Sequence, residues 1–198
     1  MSTFLFRAAM LGSALALAGC AAQQPTARVT RFHLGQPIAR GEIAVEPRNP
    51  ATAKSLEFST YANAVGAELA RAGFRLAPGL AKSELVAVVD VSRGTRAMYD
   101  EGSPFSIGIG GGTFGRNVGV GGGVSFPVGK SRTRELIGTQ LAVQIKRRSD
   151  GTVIWEGRAM SEARSDTPYA DPDAAVRRLA AALFQGFPGE SGRTITVK

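Results

Sequence analysis

From Ala27 onward the chain alternates between two hydrophobic periods, and each change of period predicts an element. ARVTRFHL from Ala27 and GEIAVEP from Gly41 are short segments separated by Gly35 and Pro37, the signature of two strands bounded by breakers. From Thr52 to Ala72 the apolar positions Phe58, Tyr61, Ala62, Val65, Leu69 and Ala72 recur at three-to-four spacing. That is one stripe of an amphipathic helix, with Gly73 as its stop. Gly66 lowers helix propensity within the stripe and suits a place where helix and sheet meet closely.

ELVAVVDVS, Glu84 to Ser92, is apolar at consecutive positions and predicts a central strand covered on both faces. QLAVQIKR, Gln140 to Arg147, alternates with Leu141, Val143 and Ile145 on one side. The turn signal Ser149-Asp150-Gly151 then leads into TVIWEGRAM, so the two segments predict a hairpin. A second helix is announced by Asp171 as N-cap, Pro172 at the first helical position and Asp173 at the positive end of the dipole. Its stripe is Val176, Leu179, Ala180, Leu183 and Phe187, stopped by Pro188-Gly189. RTITVK, Arg193 to Lys198, predicts an edge strand. Together these elements predict a single α+β domain over 28–198, a mostly antiparallel sheet with two amphipathic helices.

A glycine-dense stretch from Ser106 to Gly129 adds a third feature, a long glycine-rich β-hairpin. Ile107, Ile109 and Thr113 share one face before the turn region Gly115-Arg116-Asn117, and Val118, Val120, Val124 and Phe126 share one after it, against Gly119, Gly121, Gly123 and Ser125. One face is aliphatic and the other nearly bare, which lets another backbone approach. Centring the turn near Arg116 sets Val88 opposite Gln144, so the core strands and the hairpin read as one antiparallel ribbon. In that register Tyr99, Asp100 and Glu101 lie near Lys130 and Arg132. Ile107, Ile109, Phe114, Arg116, Val118, Val120 and Phe126 form the candidate interaction surface. A loose low-complexity loop and insertion into a membrane pore are the alternative readings, and insertion requires several chains to close the hairpin's edges.

The stretch fails as a nucleotide site. Five residues separate Gly123 from Gly129 before Lys130-Ser131 where a phosphate loop needs four, Pro127 removes a donor, and strand pattern follows instead of a helix. A dinucleotide fingerprint lacks its strand-turn-helix context as well.

The N-terminus supplies an address. MSTFLFRAAMLGSALALAGC has a short n-region with Arg7, an apolar run too short to span a bilayer, and a small-residue exit, which predicts a signal peptide over 1–19. Leu17 to Cys20, LAGC, resembles a bacterial lipobox, and that resemblance implies a lipidated Cys20 carrying fatty acyl chains such as palmitate. Cys20 is the only cysteine, so no internal disulfide staples the exported domain. Ala21 and Ala22 supply no aspartate sorting signal, which favours the outer membrane, facing the periplasm. The tether over 20–27 is short enough to hold the domain close to the lipid.

The formal charge of +8 becomes +7 without the leader, since Arg7 is its one charged residue, and it favours anionic partners such as headgroups. An exported address argues against nucleic acid. Arg93, Arg96, Lys130, Arg132 and Arg134 flank the hairpin, as a solvated strand edge or as headgroup contacts. Catalytic chemistry is thin: His33 is the sole histidine and sits in a predicted strand, and no His, Cys and carboxylate cluster has metal-ligand spacing. Asp100-Glu101 reads as a solvated flank, Asp171 and Asp173 as capping, and Trp155 as a core anchor. No metal, cofactor or catalytic residue is predicted beyond the covalent lipid on Cys20.

LAGC, GEIAVEP, AVGAELARAGF (Ala64 to Phe74), AKSELVAVVDVS (Ala81 to Ser92), the glycine-rich insertion and DGTVIWEGRA (Asp150 to Ala159) together resemble the bacterial envelope lipoproteins of domain of unknown function four-one-three-six. The resemblance implies a small α/β envelope lipoprotein and assigns no catalytic residue. The expected function is therefore non-enzymatic: an outer-membrane-anchored periplasmic domain that binds or supports another envelope protein. The alternative is an oligomeric assembly or secretion component whose hairpin associates with the membrane.

Overall fold

A computed structural model describes residues 24–78, 83–98 and 134–198, with 96–98 and 134 described as backbone only. Cys20 and the predicted hairpin residues Ile107, Ile109, Phe114, Arg116, Val118, Val120 and Phe126 lie outside the described residues. The strands are β1 (Ala27–His33), β2 (Glu42–Pro47), β3 (Arg75–Leu76), β4 (Leu85–Met98), β5 (Arg134–Arg147), β6 (Val153–Arg164) and β7 (Thr194–Val197). They form one sheet in the order β3-β2-β4-β5-β6-β1-β7. β2 runs parallel to β3 and β4, and every other pairing is antiparallel. Two helices, α1 (Leu56–Arg71) and α2 (Pro172–Phe184), complete the α+β fold.

Alternation explains how the layers close. Val29 of β1, Ala87 and Val89 of β4, Leu141, Val143 and Ile145 of β5, and Trp155 and Ala159 of β6 all join one core with Val65 and Leu69 of α1 and Leu179 and Leu183 of α2. The predicted register is present: Val88 pairs with Gln144, and the β4–β5 ladder runs unbroken from Leu85↔Arg147 to Met98↔Arg134. Both strands are longer than the apolar patterns over Glu84–Ser92 and Gln140–Arg147 indicate, because polar residues continue the ladder beyond the core.

Three expectations are corrected. β4 is apolar on both faces, yet both helices lie on one side of the sheet. Val86 is fully buried outside that core cluster, and among the described residues its face carries no covering element. Long neighbours such as Gln144 and Glu156, hydrogen bonded to each other at 3.0 Å, dress this open face instead. The first helix starts at Leu56 and not at Thr52, because Ser55 caps it by accepting from the Phe58 N–H while Pro50–Thr52 forms a separate 3₁₀ turn. The second helix ends at Phe184, with Gly186 at φ 67°, so Phe187 packs into the core from the following loop. Its N-terminus is as expected, with Asp171 accepting from the Ala174 N–H at 2.9 Å. β7 pairs with β1 at the sheet edge. Gly66 meets the sheet as expected, since a Cβ there would sit 3.2 Å from Leu76 Cδ1.

Candidate functional site

The open face contains a depression made by sequence. Gly94 and Gly138 stand directly opposite each other in the β4–β5 ladder. Glycine inside a strand weakens it and usually marks a bulge or a close neighbour. Here the ladder is regular, neither residue has a positive φ, a Cβ on Gly94 would meet nothing within 4 Å, and one on Gly138 would meet only the Gly94 carbonyl oxygen at 3.7 Å. The bare backbone is thus the floor of an open depression of about 990 Å³.

Register builds its rim. Ser92, Gln140, Met160 and Arg28 lie in one row across β4, β5, β6 and β1, and Glu162 stands beside Gly138. The Arg28 guanidinium donates to Met160 Sδ at 3.2 Å. Gln24, Pro25 and Thr26, the chain leading into β1, form a further wall. A flat floor ringed by hydroxyl, amide, carboxylate and guanidinium groups can make many directional hydrogen bonds, the chemistry of a recognition surface.

A smaller cleft of about 160 Å³ lies where α1 starts beside β4, lined by Tyr61, Glu57, Phe58, Arg48 and Asp90 among others. Arg48 and Asp90 pair at 3.3 Å, and the Tyr61 hydroxyl donates to Glu57 Oε1 at 2.8 Å. Burial, reinforced by the Glu57 carboxylate, pushes the Tyr61 phenol up to about 12. In the unfolded chain it ionises near pH 10, so between roughly pH 10 and 12 the unfolded state loses this proton first and stability falls. A tyrosinate absorbance titration is expected to show one phenol titrating late in the folded protein, and Tyr61→Phe is expected to remove that phase. A late phase surviving the substitution would contradict the assignment.

Two further polar groups face the core side. His33 is tied by both ring nitrogens: Nδ1 accepts from the Gly35 N–H at 3.1 Å, and Nε2 donates to the Gly189 carbonyl at 3.0 Å. Its role in the fold is to pin the β1 end to the loop after α2. Arg31 is the residue that the sequence reading passed over. It is 4% exposed and donates from Nε to the Leu183 carbonyl at 2.9 Å, and from Nη2 to the Ala182 and Gln185 carbonyls at 2.9 and 3.0 Å. Its charge thereby answers the negative end of α2, while burial draws its pKa below the ordinary arginine value. The signal was alternation, since Ala27, Val29 and Arg31 share the inward face of β1.

Trp155 is fully buried as expected, with its indole N–H donating to the Pro188 carbonyl at 3.0 Å. Asp171 caps α2, and Asp173 pairs with Arg177 at 2.5 Å. Of the predicted basic flank, Arg93 donates to the Ala170 carbonyl at 2.5 Å.

This is an α+β domain whose helix-free sheet face, among the described residues, carries a polar depression beside the chain that leads into β1. The chain belongs to the family described as domain of unknown function (DUF4136), which matches residues 31–189. An uncharacterised protein of Zymomonas mobilis is 34% identical, over 89% of this chain and 82% of the relative. Among solved structures, the chain is similar to the PelC dodecamer from Paraburkholderia phytofirmans at 17% identity and a TM-score of 0.41, over 83% of this chain and 99% of that one. It is also similar to a PDZ domain protein from Parabacteroides distasonis at 14% identity and a TM-score of 0.48, over 87% of this chain and 38% of that one.

Proposed function

We propose that the protein is a non-enzymatic envelope lipoprotein, anchored through lipid on Cys20 to the periplasmic side of the outer membrane, whose domain binds or supports another envelope protein. The observation that carries the binding role is the depression over Gly94 and Gly138. Two glycines face each other in the ladder where, among the described residues, neither conformation nor packing calls for them, beside a rim of polar groups. The LAGC sequence at Leu17 to Cys20 supports the anchor.

Two experiments test the reading. Cys20→Ala is expected to abolish incorporation of labelled palmitate into the protein and to leave its leader uncleaved, and incorporation that persists would contradict the anchor. A photo-crosslinking residue at Gln140 is expected to capture an envelope protein in living cells. Capture from Leu56 on α1, with none from Gln140, would transfer the binding role to another surface.

The alternative, an oligomeric component whose hairpin enters the membrane, draws support from the β4–β5 ladder, which is in the expected register as far as Met98↔Arg134. A ring of delipidated protein on size exclusion supports it, and a monomer indifferent to vesicles counts against it.

A further inference from the structure

The chain before β1 and the outer described rungs of the β4–β5 ladder leave the sheet on the same side. Arg28 lies in the row of Ser92, so Ala27 stands level with Arg93. Beyond that level the ladder continues for five further rungs, Gly94↔Gly138 to Met98↔Arg134. β2 pairs with β4 only as far as Val89, and β6 stops at the rung of Leu136. The last two rungs therefore lie beyond the ends of the other strands, although the Ser165 N–H just past β6 still donates to the Glu135 carbonyl at 2.9 Å. Gln24, Pro25 and Thr26 line the depression with Gly94 and Gly138, so the chain before β1 runs toward this end and not back along the sheet.

Lengths allow this end to reach the bilayer. Five rungs at about 3.4 Å carry the ladder about 17 Å past Ala27. The seven residue-to-residue steps from Cys20 to Ala27 span at most about 25 Å. With the tether fully drawn out along the strands, the outermost rung still stands within about 8 Å of the Cys20 level, comparable to the 5–8 Å headgroup layer of one leaflet. Any slack brings it nearer. By sequence, the chain from Gly94 to Gly138 carries five basic residues, Arg96, Arg116, Lys130, Arg132 and Arg134, against three acidic ones, Asp100, Glu101 and Glu135. That balance suits anionic headgroups.

We infer that this end of the sheet faces the bilayer and its anionic headgroups, while the opposite end, at Leu34 and the β5–β6 turn, points away. The inference rests on lipidation of Cys20. It sets the strands steeply to the membrane and leaves the depression at the level of the tether.

The test uses the full lipidated chain in vesicles of phosphatidylethanolamine and phosphatidylglycerol that contain a nitroxide-bearing lipid. Since Cys20 is the chain's own single cysteine, an environment-sensitive fluorophore is placed by Thr95→Cys or Glu135→Cys, both exposed sites near the outer rungs, and by Leu34→Cys at the far end. Quenching is expected to be at least about threefold stronger at 95 and 135 than at 34, because the labels differ in distance by most of the strand length. Increasing the phosphatidylglycerol fraction is expected to widen the difference. Equal quenching, or stronger quenching at 34, in protein that floats with the vesicles overturns the inference alone. Failure to float at all overturns the lipidated anchor, and the inference falls with it.

Discussion

Arg31→Met is expected to destabilise the domain by about 3 kcal/mol or more, the largest effect of any change to a polar residue in the described part of the chain. Methionine fills much of the same volume, so the loss is chiefly electrostatic. Three carbonyls at the α2 C-terminus, those of Ala182, Leu183 and Gln185, lose a donor in a place that water does not reach freely. Arg31→Lys separates charge from geometry. An ammonium on a flexible stem cannot reproduce the planar fork, so about half of the loss is expected to remain. Denaturant unfolding measures both variants. A methionine variant within about 0.5 kcal/mol of the parent would show that the carbonyls find other partners.

The second large effect is expected around Trp155. Its indole ring stacks on Phe184 with centroids 5.4 Å apart and lies 5.2 Å from Phe187, binding β6 to the end of α2 and the loop beyond. Trp155→Ala is expected to cost about 3–5 kcal/mol, through lost transfer energy and the cavity left behind. Gly157 approaches the same ring from below. A Cβ there would lie 2.6 Å from the Trp155 ring and 2.7 Å from Leu183 Cδ1, so Gly157→Ala is expected to cost about 1–3 kcal/mol by overpacking. Since Trp155 is the only tryptophan, its emission reports both the Gly157→Ala distortion and unfolding directly. An alanine at 157 that leaves emission and stability unchanged would mean the core yields there more easily than its contacts suggest.

Much of this fold was legible because it rests on local signals. The caps at Ser55 and Asp171 use side chains that act within three residues, although only the second was read as a start. The ribbon register followed from symmetry about a turn near Arg116, and that register already places Gly94 opposite Gly138. The sequence does not reveal that the space above those glycines stays open, because that depends on the path of residues 24–26 and on which side the helices choose. The same dependence explains β4: consecutive apolar residues imply two covered faces, and Val86 is indeed fully buried, but both helices lie on the other side of the sheet. β3, two residues long, is too short to carry a period. Arg31 was passed over because charge suggests exposure, although its parity with Val29 placed it inside and the carbonyls of a helix end made it stable there.

The proposed role requires a domain held to the membrane by lipid on Cys20. Intact mass spectrometry of the protein extracted from cell envelopes tests this most directly. The account predicts a chain beginning at Cys20, heavier than the polypeptide over 20–198 by the mass of attached acyl chains. A chain that retains Met1, or one cleaved at another residue and carrying no lipid, would contradict it.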